Sequence, residues 1–375
     1  MVGSGAAGVM TAHGLRRRGF TGRIALIGDE PAHTYDRPPL SKQVLTGEWP
    51  ASKARLLPAE RLDGLEVEFA AARAEALEPA ARSVITADGG RHAYDALVIA
   101  TGVRPRRLSW STEDCHVLRT LADAEGLRAA MRPGTRLAIV GCGLLGLEVA
   151  ASARRLGLAV TVIETLETPL ADRLGAPVAK RLLGLHRDRG VEFRLGATVE
   201  AREPGLLRLA DRSEVAADEV LIAIGCEPNV DWLDGTGLAD ADGVACDEFC
   251  RAAPGIWAAG DVARWHHPSL GRGIRVEHRM NAAEQAAGVA ADILGEGEPY
   301  APILFFWTDH HEVKIQAWGV IPPQVEPELA EGDLDGESFV VTFAEPTDRR
   351  LVAAVGWNSA RAMSAYRAEI AATRR

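Results

Sequence analysis

The stretch Leu137-Ala138-Ile139-Val140-Gly141-Cys142-Gly143-Leu144-Leu145-Gly146 decides the fold. Its first four residues read as a buried strand, and the glycines that follow have the G-x-G-x-x-G spacing of a turn into a helix. The helical pattern runs to about Leu156, and Val160-Thr161-Val162-Ile163-Glu164 reads as the next strand. Glycine permits the tight turn and lets the backbone approach a pyrophosphate, which then meets the free N–H groups and positive dipole end of the helix. Glu164 lies 23 residues past Gly141, close to the roughly 20 expected of an acid that accepts from a ribose 2′-OH. A carboxylate there repels a 2′-phosphate, so the expected nucleotide is NADH rather than NADPH.

The same pattern opens the chain. Gly3-Ser4-Gly5-Ala6-Ala7-Gly8 precedes helix-like sequence to Arg18 and a strand at Ile24-Ala25-Leu26-Ile27, with Asp29 and Glu30 as the candidate acids. Only Met1-Val2 stands before the glycines, whereas a central strand takes about five residues. Met1-Val2 therefore reads as the interior of a strand whose leading residues lie upstream. The expectation is that Val2 alone cannot hold a central strand position, and that about five restored apolar residues would tighten cofactor binding. Two βαβ units in 375 residues predict an α/β protein with two Rossmann-like dinucleotide-binding domains. After Tyr300 the pattern changes. An apolar run (Ile303 to Trp307), an alternating strand (Val313, Ile315, Ala317), strands at Phe339–Phe343 and Leu351–Val355, and a helix from about Ser359 to Ile370 predict a small α+β domain. The Pro- and acid-rich stretch from Pro322 to Glu337 reads as a solvated connection.

Composition removes several function classes. A net charge of −10 argues against nucleic acid, because phosphate contacts need a basic face. No apolar run reaches the ~18 residues of a membrane span, and no secretory signal opens the chain, so the expected location is the cytoplasm. Only Lys42, Lys53, Lys180 and Lys314 are lysines among 42 basic residues, a bias of coding more than of function. The five cysteines, at 115, 142, 226, 246 and 250, show no C-x-x-C pair and no zinc-ligand spacing, so reduced thiols and no metal site are expected.

Three further segments gain meaning together: Ala100-Thr101-Gly102 after the strand Ala96–Ile99, Ile224-Gly225 after a similar strand, and Gly260-Asp261 after Ile256-Trp257-Ala258. With the two glycine motifs, they resemble the two-dinucleotide-binding-domain flavoprotein reductases. Tyr35-Asp36-Arg37-Pro38-Pro39-Leu40-Ser41-Lys42 and Phe306-Trp307-Thr308-Asp309 resemble the putidaredoxin reductase and Rieske-dioxygenase ferredoxin reductase subfamily. The resemblance covers essentially the whole chain. It implies a glutathione reductase-like fold with an FAD domain interrupted by an NAD domain: FAD-binding residues 1–110 and 236–300, NAD-binding residues 111–235, and a C-terminal α+β domain over 301–375. Cysteine pairs of the kind used by disulfide reductases are absent before Cys115, which excludes a dithiol relay.

The resemblance also implies roles. Gly3, Gly5, Ala7, Gly8, Asp29, Glu30, Ala74, Ala100, Thr101, Gly102, Gly260, Glu277 and Arg279 would lie at FAD, with Arg37 and Arg119 close to it. Asp261 would bond the ribityl chain. Gly141, Gly143, Leu144, Leu145, Gly146, Glu164, Ile224 and Gly225 would hold NADH. Lys42 and Glu148 would form a charge pair beside the flavin, serving binding and hydride transfer, and Trp307 would lie near the flavin. The chain departs from the subfamily at Leu144, where an aromatic often guards the nicotinamide side. It departs again at Arg279, where an apolar or aromatic residue is common and a cation would raise the flavin potential. The implied activity is NADH reduction of FAD followed by electron delivery to a [2Fe–2S] ferredoxin serving a cytochrome P450 or a Rieske oxygenase. Because the enzyme is acidic, docking an acidic ferredoxin calls for a local basic patch, for which Arg272, Arg275 and Arg279 are the candidates. Two alternatives stand beside this: a reductase of rubredoxin, a quinone or another small acceptor, and an FAD-poor NAD-binding protein without electron transfer.

Overall fold

A computed structural model describes residues 1–30, 34–323 and 325–373 and divides the chain into two units. The first comprises Met1–Asp36, Ser52–Arg104 and Cys226–Pro302, so its sequence is interrupted. Its parallel sheet pairs Ile24–Gly28 with Val67–Ala71 and Leu97–Ile99 with Ile256–Ala258. Val2 joins the two halves, bridging Ile27 on one side and Ile99 on the other. This corrects the expectation that Val2 cannot hold that place. The reason is that both neighbours offer backbone partners: Val2 N donates to Val98 O (2.9 Å), Ala100 N to Val2 O (2.7 Å) and Gly3 N to Ile27 O (2.8 Å). Val2 is 3% exposed. The helix Ala6–Arg17 packs against the helix Arg279–Ile293, with Gly14 closing on Ala290.

The second unit comprises Arg37–Ala51, Pro105–Gly225 and Ile303–Arg375. Its parallel sheet has the spatial order Val191–Leu195, Ala159–Glu164, Arg136–Val140, Glu219–Ile222. The strand Arg136–Val140 is central and its apolar residues are buried, each worth ~1.5–3 kcal/mol for a large side chain. The deciding stretch thus folds as read, with a helix at Leu144–Arg155. The C-terminal portion is a five-stranded antiparallel sheet in the order Phe305–His310, Val313–Gly319, Leu351–Trp357, Phe339–Ala344, Glu328–Gly332, with the helix Ala360–Ala372 packed on it. Val313, Ile315 and Ala317 share its buried face.

The stretch 322–337 departs from the expected connection. It contains the edge strand Glu328–Gly332, bonded to Phe339–Ala344 and exposed along its whole length. A strand without a buried face carries no period-2 signal, and its glutamates suit an edge that must not pair further. Gln324 of this stretch lies outside the described residues. No helix among the described residues is long and apolar enough to cross a membrane.

Candidate functional site

Each unit carries a glycine cradle. In the first unit, Gly3 has φ +110° and its Cβ would stand 2.1 Å from the Ala100 carbonyl oxygen, while a Cβ on Gly8 would stand 2.0 Å from the Gly3 carbonyl oxygen. Both are therefore demanded by backbone contact. The helix Ala6–Arg17 begins at Gly5 with no capping side chain and no acid in its first turn among the described residues. Its first N–H groups thus stay available to an anion. Ala7 touches the position of Gly260, whose φ is +79° and whose Cβ would lie 2.9 Å from Ala7 Cβ. Gly260 N donates to the buried Gln285 Oε1 (2.8 Å). Ala100-Thr101-Gly102 is locked by Asn229: Thr101 Oγ1 donates to Asn229 O (2.8 Å) and Asn229 Nδ2 to Thr101 O (2.9 Å). The first-unit glycine, Ala-Thr-Gly and Gly-Asp segments are thus brought together. Ala74 lies on the strand Ala74–Glu78, packed on this unit's core.

The acids of this unit differ in surroundings. Asp29 is exposed, whereas Glu30 accepts from the Tyr35 hydroxyl. Asp261 follows Gly260, and its carbonyl accepts from Arg275 Nη1 (3.0 Å). The supposed basic patch needs correction. Arg275 is paired with Glu277 (2.9 Å) and Asp242 (3.4 Å), and Arg279 with Asp36, leaving Arg272 as the exposed member of the three with no ion pair among the described residues. Asp36 beside Arg279 also offsets the charge expected to raise a flavin potential.

In the second unit the three motif glycines divide by role. A Cβ on Gly141 (φ +109°) would lie 2.4 Å from Ala223 O, and one on Gly146 2.5 Å from Gly141 O. A Cβ on Gly143 would meet nothing beyond its immediate chain neighbours within 4 Å. The outer two serve the turn and the helix–strand approach, and the middle one leaves room for a ligand backbone to come close. The helix Leu144–Arg155 starts without a capping side chain among the described residues, with Leu144 half-buried and Leu145 exposed beside the open position. Glu164 Oε2 accepts from Cys142 N (2.8 Å) and Oε1 from Leu166 N (3.0 Å), so the acid is held against the glycine turn. Cys142 within the turn is buried, and burial together with Glu164 pushes its thiol up to about 12; it is not a nucleophile. Ile224 and Gly225 (φ +94°) follow the strand Glu219–Ile222, and Gly225 also faces open space. The uncapped helix start behind close-packed glycines fits FAD in the first unit, and an uncapped helix start, open positions at Gly143 and Gly225 and the Glu164 carboxylate at the turn fit NADH in the second.

The second unit also assembles a charge centre. Lys42 Nζ lies 2.7 Å from Glu148 Oε2 and donates to Pro38 O (3.1 Å). Glu148, 8% exposed, further accepts from Ser41 Oγ (2.6 Å), Thr308 Oγ1 (2.7 Å) and Asp309 N (3.4 Å). A buried carboxylate is tolerable with that many donors. Ser152 Oγ donates to Ser41 O (2.7 Å) and fixes the lysine segment on the same helix. Trp307, next to Thr308 on the strand, points to the other face and stacks on Phe305 (6.0 Å between rings). Arg37 Nη1 donates to Arg119 O (2.6 Å), so these two lie together in this unit rather than in the one that holds Gly3–Gly8.

Sequence reasoning missed Ser41, Thr308, Asn229, Gln285 and three histidines as site residues. Thr308 Oγ1 lies 2.9 Å from His310 Nε2, His310 Nδ1 3.3 Å from His186 Nε2, and His186 Nδ1 3.4 Å from His311 Nε2. Burial, then Lys42 and His311, push His310 down to about 3, with the Leu147 carbonyl opposing weakly. Burial and the other two histidines push His186 down to about 2. Both are neutral when folded. Unfolded, each titrates near 6.5, so stability present above pH 6.5 is lost as pH falls from 6.5 toward about 3. The unfolding free energy read from urea titrations is expected to drop across pH 7 to 5, by up to ~1.4 kcal/mol per pH unit for each proton gained on unfolding, and the urea midpoint with it. Carboxylates such as Asp218, held down to about 2 by Arg136, add only below about pH 4. His186→Gln should flatten the slope; a wild-type midpoint constant from pH 7 to 5 would contradict this account.

The comparisons agree with one another. Residues 1–287 match the pyridine nucleotide-disulphide oxidoreductase family. The chain is 38% identical over 375 residues to the ferredoxin–NAD(+) reductase component of a p-cumate 2,3-dioxygenase system of Pseudomonas putida, covering 98% of this chain and 91% of that protein. Among solved structures, the covalent putidaredoxin reductase–putidaredoxin complex superposes with a TM-score of 0.93 at 31% identity, over 98% of this chain and 91% of that one. The ferredoxin reductase for the CYP199A2 system of Rhodopseudomonas palustris superposes with a TM-score of 0.92 at 30% identity, over 97% and 92%.

Proposed function

The chain belongs to the pyridine nucleotide-disulphide oxidoreductase family, and from that membership we propose that it is an FAD-dependent NADH:ferredoxin oxidoreductase serving a cytochrome P450 or Rieske oxygenase. One observation carries the reading. The chain has two glycine cradles and five cysteines, none in a disulfide, so electrons taken from a nicotinamide have no internal disulfide to enter and pass to an external acceptor. The whole-length similarity to reductases of ferredoxins selects a [2Fe–2S] ferredoxin as that acceptor. The cytoplasm is the compartment this reading assigns.

When bound, FAD supplies the ability to accept a hydride from NADH and to give electrons up singly. The protein supplies position and charge. Residues 1–110 and 236–300 would hold the flavin nucleotide and 111–235 the nicotinamide nucleotide, with 301–375 as the C-terminal α+β domain. The helix starts behind Gly5 and Gly143 would bind the pyrophosphates. Glu30 or Asp29 takes one ribose, Glu164 the other, and Asp261 the ribityl chain. Lys42, fixed by Glu148, would present a cation to the isoalloxazine, and Trp307 would lie near it.

Purified protein is expected to be yellow, to bleach with NADH, and to reduce cytochrome c only when a [2Fe–2S] ferredoxin is added. Equal rates with rubredoxin or a quinone would select the first alternative, and a colourless folded protein the second. Asp261→Ala should purify largely without flavin; full flavin occupancy would remove Asp261 from the site. Glu164→Arg should move the NADH/NADPH ratio of kcat/KM toward NADPH by about ten- to a hundredfold, the worth of one lost hydrogen bond and one gained ion pair. An unchanged ratio would show that Glu164 does not meet the ribose.

A further inference from the structure

The Lys42–Glu148 pair is joined to the protein surface by a continuous run of hydrogen-bonding side chains whose direction follows from one fact. The Glu148 carboxylate only accepts, since Lys42, Ser41 and Asp309 N already donate to it. Thr308 therefore gives Glu148 its single hydroxyl proton across 2.7 Å. The Thr308 oxygen is then an acceptor, so the nitrogen 2.9 Å away, His310 Nε2, carries a hydrogen. A neutral imidazole with its hydrogen on Nε2 has its lone pair on Nδ1, so His186 Nε2, at 3.3 Å from His310 Nδ1, is the donor. The same step sets His311 Nε2 as donor to His186 Nδ1 at 3.4 Å. An acceptor-only group at the inner end thus orients the whole run inward.

The outer end is reachable. His311 and Glu312 form the two-residue turn between Phe305–His310 and Val313–Gly319, with His311 at φ +53° and half-buried. Arg189, Arg154 and Glu312 surround it, Arg189 being ion-paired with Glu312. Lys42 and His311 face His310, and His310 and His311 face His186.

We propose that Thr308, His310, His186 and His311 form a proton path between the surface and the Lys42–Glu148 pair, and that Glu148 takes up a proton through it when negative charge arrives beside the pair. This rests on the reading that Lys42 faces the isoalloxazine. The balance closes. A hydride brings two electrons and one proton, a net charge of one negative, and one solvent proton entering through His311 offsets it on Glu148. When the two electrons leave for two oxidised ferredoxins, both protons return to solvent. The sum is NADH and two oxidised ferredoxins giving NAD+, two reduced ferredoxins and one proton. The inward orientation at rest suits uptake first, and the path reverses its orientation with each proton passed. The low affinities of the two buried histidines keep them from trapping the proton.

Nitrogen NMR of the imidazoles, independent of turnover, is expected to show Nε2–H tautomers for His186, His310 and His311 at neutral pH. Reduction of the holoenzyme by NADH in weak buffer with an indicator dye should take up one proton per NADH. It should also raise a protonated-carboxyl infrared band that Glu148→Gln lacks. Thr308→Val and His186→Phe should each slow that uptake about a hundredfold. Uptake as fast in both variants as in the wild type, or an Nδ1–H tautomer at His310, overturns the path. Flavin bleaching equally fast in Lys42→Met overturns instead the placement of the pair beside the flavin, and leaves the tautomer result as it was.

Discussion

Gly8→Ala, a single added methyl group, is expected to yield protein that binds FAD at least about a hundredfold more weakly. The new Cβ would sit 2.0 Å from the Gly3 carbonyl oxygen, 3.2 Å from the Gly3 carbonyl carbon and 3.2 Å from Leu26 Cδ1. A flexible side chain could move away, but a carbonyl in this place cannot. Gly3 N is bonded to Ile27 O, the Val2 carbonyl next to it accepts from Ala100 N, and Gly3 itself stands against Ala100. Relief therefore means pulling the helix Ala6–Arg17 off the sheet and with it the N–H groups that face the pyrophosphate. Overpacking of this kind costs ~1–3 kcal/mol even against side chains. Flavin absorbance per protein after gel filtration reads the result. Gly143→Ala is the control for the second unit. With nothing beyond its immediate chain neighbours within 4 Å of its Cβ, it should leave the melting temperature within about 1 °C and raise KM for NADH alone. Full flavin content in Gly8→Ala would mean that the glycine turn is not the flavin cradle.

Glu148→Ala is expected to destabilise the protein by ~3–5 kcal/mol, the cost of leaving a buried cation without its partner. Lys42 and Glu148 have side chains only 13% and 9% exposed, so water replaces the carboxylate poorly. Ser41 and Thr308 lose their acceptor in the same step. Removing both charges in Lys42→Met/Glu148→Leu should recover most of that stability, because a packed apolar pair replaces a buried ion pair at little net cost. The double variant should still be slow in bleaching by NADH. Urea unfolding read beside stopped-flow bleaching separates the two effects: stability returns and rate does not. If the double variant recovers both, the pair serves only the fold. If Glu148→Ala loses less than about 1 kcal/mol, the pair is solvated and adds little to the fold.

Much of this protein is written locally in its chain. The turn Gly141–Gly146, the strand before it and the helix after it fold as read, because backbone conformation, burial pattern and helix start are set by neighbours within a few residues. Glu164 falls at the turn for the same reason, since one βαβ unit fixes its distance from Gly141. The wider resemblance reached the Lys42–Glu148 pair, but not the side chains that make it tolerable. Thr308 stands 160 residues from Glu148, and the motif that contains it does not say that the two meet. Arg279 reads as a free cation until its partner Asp36, 243 residues away, is seen. Val2 reads as too little strand until Ile27 and Ile99 supply hydrogen bonds from both sides, and Glu328–Gly332 reads as loop until Phe339–Ala344 pairs with it.

The sequence by itself determined the two glycine cradles, the α/β class and the acid that chooses the nucleotide, because φ preference, hydrophobic period and helix starts act over a few residues. The tertiary structure alone decided which charges are neutralised and how Glu148 reaches the surface through Thr308 and three histidines. Those contacts join residues that are distant in sequence, and a hydrogen bond or an ion pair depends on distance in space.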